Sequence, residues 1–321
     1  MHAAKSALAK LGEWYGEYPY STLSVVIPPA EGNGAGGMEY PTLVTGAAAR
    51  DDNPGYELER TLVHEIAHQY WYGIIATNEF EEAWLDEGFT SYTEDKLMSN
   101  IYGLVPNITM EASYMTNPEP LEQFSWRYAS ADSYADNVYL RGKLVLNSLE
   151  RQVGEKVMNK ILRTYYQKYR FKHPSSSDFQ KIVETVTNTK WNDFFQAHVQ
   201  RGEMTDYSVE HISSEKSDNG YESRVLLRRY GGSAHKVGIW LRFEDGQTVR
   251  KIWDGVQNHV QVKLNSSSPL AYAAIDPGYH VVLDNHRYNN FLKAEVPAKV
   301  RTRWSTGLTQ IIEGLFGTLA W

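Results

Sequence analysis

The 321-residue sequence predicts an α+β protein in which helices come first and strands last. Two patterns carry that expectation. Apolar residues recur at helical spacing between positions 57 and 199. The composition then changes near Gly202, and short β-branched runs follow one another up to residue 290, the pattern of a small β-sandwich.

Element by element, residues 4–15 read as a helix, followed by a turn at Tyr18-Pro19-Tyr20. Ser21 to Ile27 reads as a strand stopped by Pro28 and Pro29. The Gly-rich run ending at Met38 reads as a tight loop or edge strand where backbone approaches something closely. Thr42 to Thr45 reads as a further strand, and Asp51 to Gly55 as a polar turn. A helix is expected from Glu57 to Tyr72 with Gly73 as its stop, and a second from Phe80 to about Met98. Asn78, three residues before Glu81, suggests an N-cap with a capping box. Residues 101–130 are broken by Pro and Asn and hold short helices at best. Helices then follow at 139–152, interrupted by Gly142, at 155–169, at 178–187 and at 191–199, with Ser177 and Thr189 as candidate caps.

Six strands are expected at 207–212, 223–230, 236–243, 247–253, 259–264 and 279–284, with Gly, Asp and Asn at the turns between them. The tail returns to helix. Trp304, Leu308, Ile311, Ile312, Leu315, Phe316 and Leu319 share one face, suited to core, to self-association or to a membrane surface. The expected domains are 1–202, 203–296 and a C-terminal amphipathic helix over 297–321.

Composition removes several function classes. A net charge of -7 argues against a dedicated nucleic-acid binder. The absence of cysteine excludes disulfides, thiolate metal sites and a cysteine nucleophile. The N-terminus has no long apolar run, so it does not read as a signal peptide, and no stretch of about 20 apolar residues suits a membrane span. The compartment stays open between the cytoplasm and an extracytoplasmic part of a longer protein.

The chemistry concentrates in His64-Glu65-Ile66-Ala67-His68. The i, i+4 spacing puts both imidazoles on one helix face, where two neutral histidines can grip one Zn²⁺. Glu65 stands beside them, placed to activate a water rather than to ligate. Glu87, nineteen residues after His68 on the next helix, can complete a His₂Glu set if that helix folds back. Asp86 is its competitor, about 100° round the helix. Glu94, two turns beyond Glu87, reads either as a partner for a ligand imidazole or as a solvated carboxylate.

Together, HEIAHQYWYG and EEAWLDEGFTSYTE resemble the M1 family of zinc aminopeptidases, the gluzincins. Gly36-Gly37-Met38-Glu39-Tyr40 is similar to that family's GxMEN signature, and Val138-Tyr139-Leu140-Arg141-Gly142-Lys143 to the segment bearing its catalytic tyrosine. The resemblance spans roughly residues 10–200 and, more weakly, continues to about 290. It implies a thermolysin-like catalytic domain with a helical subdomain, then a β-sandwich and a trailing helix. It implies one Zn²⁺ on His64, His68 and Glu87, with Glu65 as general base, Tyr139 as oxyanion donor and Glu39 as anchor of the substrate's α-amine. Gly36, Gly37 and Met38 would line the substrate, a peptide with a free N-terminus.

Two departures from the family pattern stand out. Tyr40 replaces its Asn, and only 35 residues precede the Gly36-Gly37 pair, where members carry a large β-domain. A longer parent chain, with that domain as an intramolecular partner, is therefore expected. Rival readings are an endopeptidase without an amine anchor and a weakly active fragment that binds peptides.

Overall fold

In a computed structural model the described residues are 1–48 and 55–294. The expected amphipathic tail helix, with the partners suggested for it, lies outside them, as does most of the turn expected at 51–55.

Helix α1 (His2–Trp14) leads into strand β1 (Ser24–Val26), which pairs in parallel with β2 (Leu43–Thr45). The Gly-rich run between them makes a turn over Ala30–Ala35 and then an antiparallel bridge from Met38 to Thr45. Helix α2 (Glu57–Trp71) follows. The short α3 (Glu79–Glu82) gives way at Ala83 to α4 (Trp84–Tyr102), closed by Gly103 in the left-handed region. After α5 (Ile108–Ser113) and α6 (Ala131–Ala135), a π-helical turn over Asp136–Arg141 runs into α7 (Gly142–Val153). Helices α8 (Glu155–Tyr169), α9 (Ser176–Thr187) and α10 (Asn192–Phe195) complete the helical part.

The strand-rich part holds β3 (Asp206–Ser217), β4 (Gly220–Tyr230), β5 (Val237–Phe243), β6 (Thr248–Trp253), β7 (His259–Ser266), β8 (Leu270–Ile275) and β9 (Phe291–Lys293). They form a three-stranded sheet ordered β3-β4-β7 and a four-stranded one ordered β6-β5-β8-β9, antiparallel in the sandwich manner. On β5 the alternate residues Val237, Ile239, Leu241 and Phe243 are buried, as a half-buried strand requires. The chain divides into two compact units. One contains Met1–Asp206 with Tyr230–His235 and Tyr279–His286; the other contains Tyr207–Arg229, Lys236–Gly278 and the residues from Arg287 on.

Several local expectations need correction. Residues 279–284 form no strand. Val282 and Leu283 are apolar because they pack into the helical unit's core, and only Asp284 bridges, to Thr205. The strands not expected are the short β9 and β8, whose Leu-Ala-Tyr-Ala-Ala-Ile run lacks both alternation and β-branched residues until its end. Ser175, not Ser177, caps α9, in a capping box with Asp178. Thr189 caps no helix; Trp191 stands at the N-cap of α10. Asn78 does cap α3, through Phe80 N–H, but Glu81 makes no reciprocal bond there.

Buried aromatics hold the helical unit together. Trp71 on α2, Phe89 on α4 and Phe179 on α9 stack in series, with Phe89 and Phe179 rings 4.8 Å apart and edge to face. Two indole N–H groups in this cluster have partners: Trp71 Nε1 donates to Thr93 Oγ1 at 2.8 Å and Trp84 Nε1 to Ser176 Oγ at 2.9 Å. Gly142 does not interrupt its helix. It lets α7 cross α4 at closest approach, where a Cβ built on Gly88 would stand 3.0 Å from Gly142 Cα and 3.1 Å from Val138 carbonyl oxygen. Gly88→Val is therefore expected to destabilise the fold by about 1–3 kcal/mol through overpacking. Thermal denaturation would show this as a lowered midpoint; an unchanged midpoint would mean that the crossing tolerates side chains.

Candidate metal centre

Helices α2 and α4 pack against each other and bring three donors together. His64 and His68 share one face of α2, one turn apart, as their spacing requires. Glu87, in the first turn of α4, meets both. The two Nε2 atoms are 3.1 Å apart, and Glu87 Oε2 lies 3.3 Å from that of His64 and 3.1 Å from that of His68.

The outer nitrogens are held as well. His64 Nδ1 is 2.8 Å from Glu94 Oε2, and Glu94 in turn accepts from Arg60 through its other oxygen. His68 Nδ1 is 2.6 Å from Asp86 Oδ1, with Thr90 Oγ1 at 3.1 Å. In the neutral imidazoles, a carboxylate on each Nδ1 keeps the proton there and leaves each Nε2 a lone pair. Three acceptors then converge without a proton to share, an arrangement that calls for a cation. Donors about 2.0–2.1 Å from a tetrahedral ion would lie about 3.3–3.4 Å from one another. The observed triangle is close to that size, and two imidazoles with one carboxylate suit zinc.

Without an ion, the same carboxylates favour protons in its place. Burial opposes charge on His64, but the hydrogen bonds it donates to Glu87 and Glu94 outweigh it and push its pKa up to about 9. Burial likewise opposes charge on His68, and Asp86 and Glu87 raise its pKa well above the usual value. Glu87 is itself buried, yet the two imidazoles hold its carboxyl well below the usual range.

Around this triangle stand the other expected residues. Glu65 is 5% exposed, and its Oε2 has no hydrogen-bond partner. Burial pushes its carboxyl up to about 7, with the histidines opposing the shift. Tyr139 donates its hydroxyl to Glu87 Oε1, and its ring stacks on His64 at 6.0 Å. Burial first, and Glu87 second, raise its phenol pKa. Tyr139 sits in the π-helical turn, where Gly142 N–H reaches back to Asn137 carbonyl oxygen. Such turns often mark functional sites. The buried Arg141 pins this turn by donating to the carbonyl oxygens of Glu119 and His198.

A carboxylate oxygen of Glu39 lies within 4.8 Å of donor atoms of Glu65 and His68, and within the same distance of Asp86 and Glu87 carboxylates. Gly36 and Gly37 are needed upstream. A Cβ on Gly36 would stand 2.9 Å from Gly46 carbonyl oxygen, and Gly37 takes φ +70°. Gly37 N–H donates to Thr45 carbonyl oxygen at 2.8 Å, and Met38 joins Thr45 in the bridge, so this strap lies along β2.

His64, His68, Glu87, Glu65, Glu39, Glu94 and Tyr139 thus stand close together, while Gly36 and Met38 are placed by their contacts with Gly46 and Thr45. Asp86 was weighed only as a rival for the metal; it takes the far side of His68 instead, because its helix phase differs from that of Glu87. Glu94 resolves as the imidazole partner. Arg60 and Thr90 were not anticipated. The available signal was helical spacing: Arg60 is one turn before His64, and Thr90 one turn after Asp86.

Residues 1–198 match the family profile described as the Peptidase family M1 domain. The fold and this constellation define a metallopeptidase-type centre, and the chain belongs to peptidase family M1. It is 21% identical over 319 positions to "Probable aminopeptidase 1" of Sulfurisphaera tokodaii, covering 88% of this chain and 40% of that protein. To "Leucine aminopeptidase 2-1" of Meyerozyma guilliermondii it is 24% identical over 185 positions, covering 49% of this chain and 29% of that one. Among solved structures, the fold resembles Legionella pneumophila aminopeptidase A, crystallised with aspartic acid. The TM-score is 0.65 at 11% identity, over 92% of this chain and 35% of the other. The chain thus spans less than half the length of these relatives. Among the described residues no helix is long and apolar enough to cross a membrane.

The outer carboxylates should matter for metal retention. Asp86→Asn and Glu94→Gln are each expected to weaken zinc binding by about 10–100-fold. Competition with a chromophoric chelator measures this; unchanged affinity in both would show that the imidazoles need no outer partner.

Proposed function

We propose that this chain hydrolyses peptide bonds with zinc and releases residues from a free N-terminus. The observation that carries the reading is the three-acceptor triangle of His64, His68 and Glu87 beside an unpartnered, buried Glu65 oxygen. His64, His68 and Glu87 would hold the ion. When bound, Zn²⁺ polarises a carbonyl and makes water more acidic.

The remaining work falls to this chain's own residues. Glu65 accepts the proton of the attacking water and delivers it to the leaving amine. Its Oε2 is free for both transfers, since no other group holds it. Tyr139 supplies a phenol donor where negative charge develops on the former carbonyl oxygen. Its hydroxyl already reaches the Glu87 carboxylate, one atom from the triangle. Gly36, Gly37 and Met38 present backbone along one wall. Glu39 receives the α-ammonium through a charge-assisted hydrogen bond, which places the first peptide carbonyl over the triangle and releases one residue per cut. Membership in family M1 and the aminopeptidase names of its relatives point the same way.

Two tests follow. Glu65→Gln removes the proton carrier but none of the three ligands. Turnover of a peptide substrate is expected to fall by at least about 10²-fold with zinc content unchanged; loss of zinc in step with activity would make Glu65 a ligand instead. The amine anchor is tested with a short peptide and its N-acetyl twin. The unmodified chain should prefer the free amine, and Glu39→Ala should lose most of that preference. Equal cleavage of both peptides at internal bonds would mark an endopeptidase.

A further inference from the structure

Gln69 follows His68 directly on α2 and is 1% exposed. Its four side-chain hydrogen bonds go to neither the imidazoles nor Glu65. Instead it grips the main chain of the strap that carries Glu39. Gln69 Nε2 donates to the carbonyl oxygens of Glu39 and Tyr40, each at 3.2 Å. Gln69 Oε1 accepts from Thr42 N–H at 2.8 Å and from Tyr18 hydroxyl at 3.3 Å. One side chain thus uses both ends of its amide to hold three main-chain groups within residues 39–42.

The strap needs such a hold. Thr42 has φ +65°, a conformation disfavoured for a β-branched residue, and its N–H is the group that Gln69 Oε1 receives. Strain of this kind persists only where surrounding contacts over-determine it. Because Gln69 is one residue from His68, it leaves the helix about 100° from the metal-facing direction. The distance from the metal triangle to the Glu39 backbone is then set by a single residue step of a rigid helix plus one amide.

We propose that Gln69 is a positioning residue that fixes Glu39 relative to the metal triangle and so sets the preference for a free N-terminus. This inference rests on the reading of Glu39 as the amine anchor. Without Gln69 the strap keeps its bridge to β2 but loses its tie to α2, and Glu39 no longer stands one residue's length from the scissile position. Metal ligation, which involves neither the strap nor Gln69, is retained.

The test measures binding by calorimetry in the zinc-loaded full chain carrying Glu65→Gln, so that turnover does not intervene. The probes are tri-alanine and N-acetyl-tri-alanine. The ratio of the N-acetyl peptide's dissociation constant to that of the free peptide is compared in Gln69→Met, which keeps length and apolar bulk without hydrogen bonds, and in Glu39→Ala. Gln69→Met is expected to lower the ratio at least about tenfold, since a misplacement of about 1 Å can cost on the order of 100-fold. Zinc stoichiometry should not change, and amide exchange should speed up at Thr42 but not across residues 63–71. Tyr18→Phe removes one donor to the same amide and provides a milder variant should Gln69→Met fold poorly. Its ratio is expected to fall about two- to tenfold, the range of one hydrogen bond. If Glu39→Ala collapses the ratio while Gln69→Met, or Tyr18→Phe in its place, leaves it intact, the positioning role is overturned. If Glu39→Ala itself leaves the ratio intact, the amine anchor is wrong, and the inference falls with it.

Discussion

The meeting of Glu87 with two imidazole Nε2 atoms between α2 and α4 is the contact on which the rest of this site depends. Three acceptors, one buried and two largely so, within hydrogen-bonding distance repel one another unless positive charge lies among them. The fold tolerates them because each has a compensating partner outside the triangle. Glu94 and Asp86 hold the Nδ1 atoms, Arg60 neutralises Glu94, and Tyr139 donates to the second oxygen of Glu87. Remove the helix pairing and these groups become separate surface charges with no shared function.

The other parts of the site are attached to this pair by close contacts rather than by large interfaces. Tyr139 arrives because α7 crosses α4 at two glycines, Gly88 next to Glu87 and Gly142 three residues after Tyr139. The π-helical turn then re-aims its side chain without ending the helix. Glu39 arrives because the strap runs along β2 and is tied to α2 by Gln69. Behind all of this, the buried aromatic series from Trp71 to Phe179 keeps α2, α4 and α9 in fixed register. Rigid helices thus carry the metal donors, while turns and straps carry the groups that would handle substrate.

Much of the metal centre was legible in the sequence, since a helix converts spacing into direction. His64 and His68 at i, i+4 can only share a face, and Glu87 lies one loop away. What spacing could not separate was Asp86 from Glu87 as donors, because adjacent residues on one helix differ only in angle. Gln69 was invisible for another reason: its partners are main-chain atoms of a distant segment. In the strand-rich region, residues 279–284 read as a strand because burial against helices and burial in a sheet select the same apolar residues. The β8 run was missed for the converse reason, being alanine-rich although paired on both sides. Gly142 looked like a break, since a glycine required by a helix crossing cannot be told from a helix stop without the partner helix.

Whether these three side chains form one zinc centre is decided by X-ray absorption at the zinc edge on the zinc-loaded full chain, compared with Glu87→Gln. One ion per chain is expected, with two imidazole nitrogens at about 2.0–2.1 Å and oxygen donors at about 2.0–2.2 Å, and an altered oxygen shell in the variant. An ion with a single imidazole, or a zinc environment indifferent to Glu87, would contradict it.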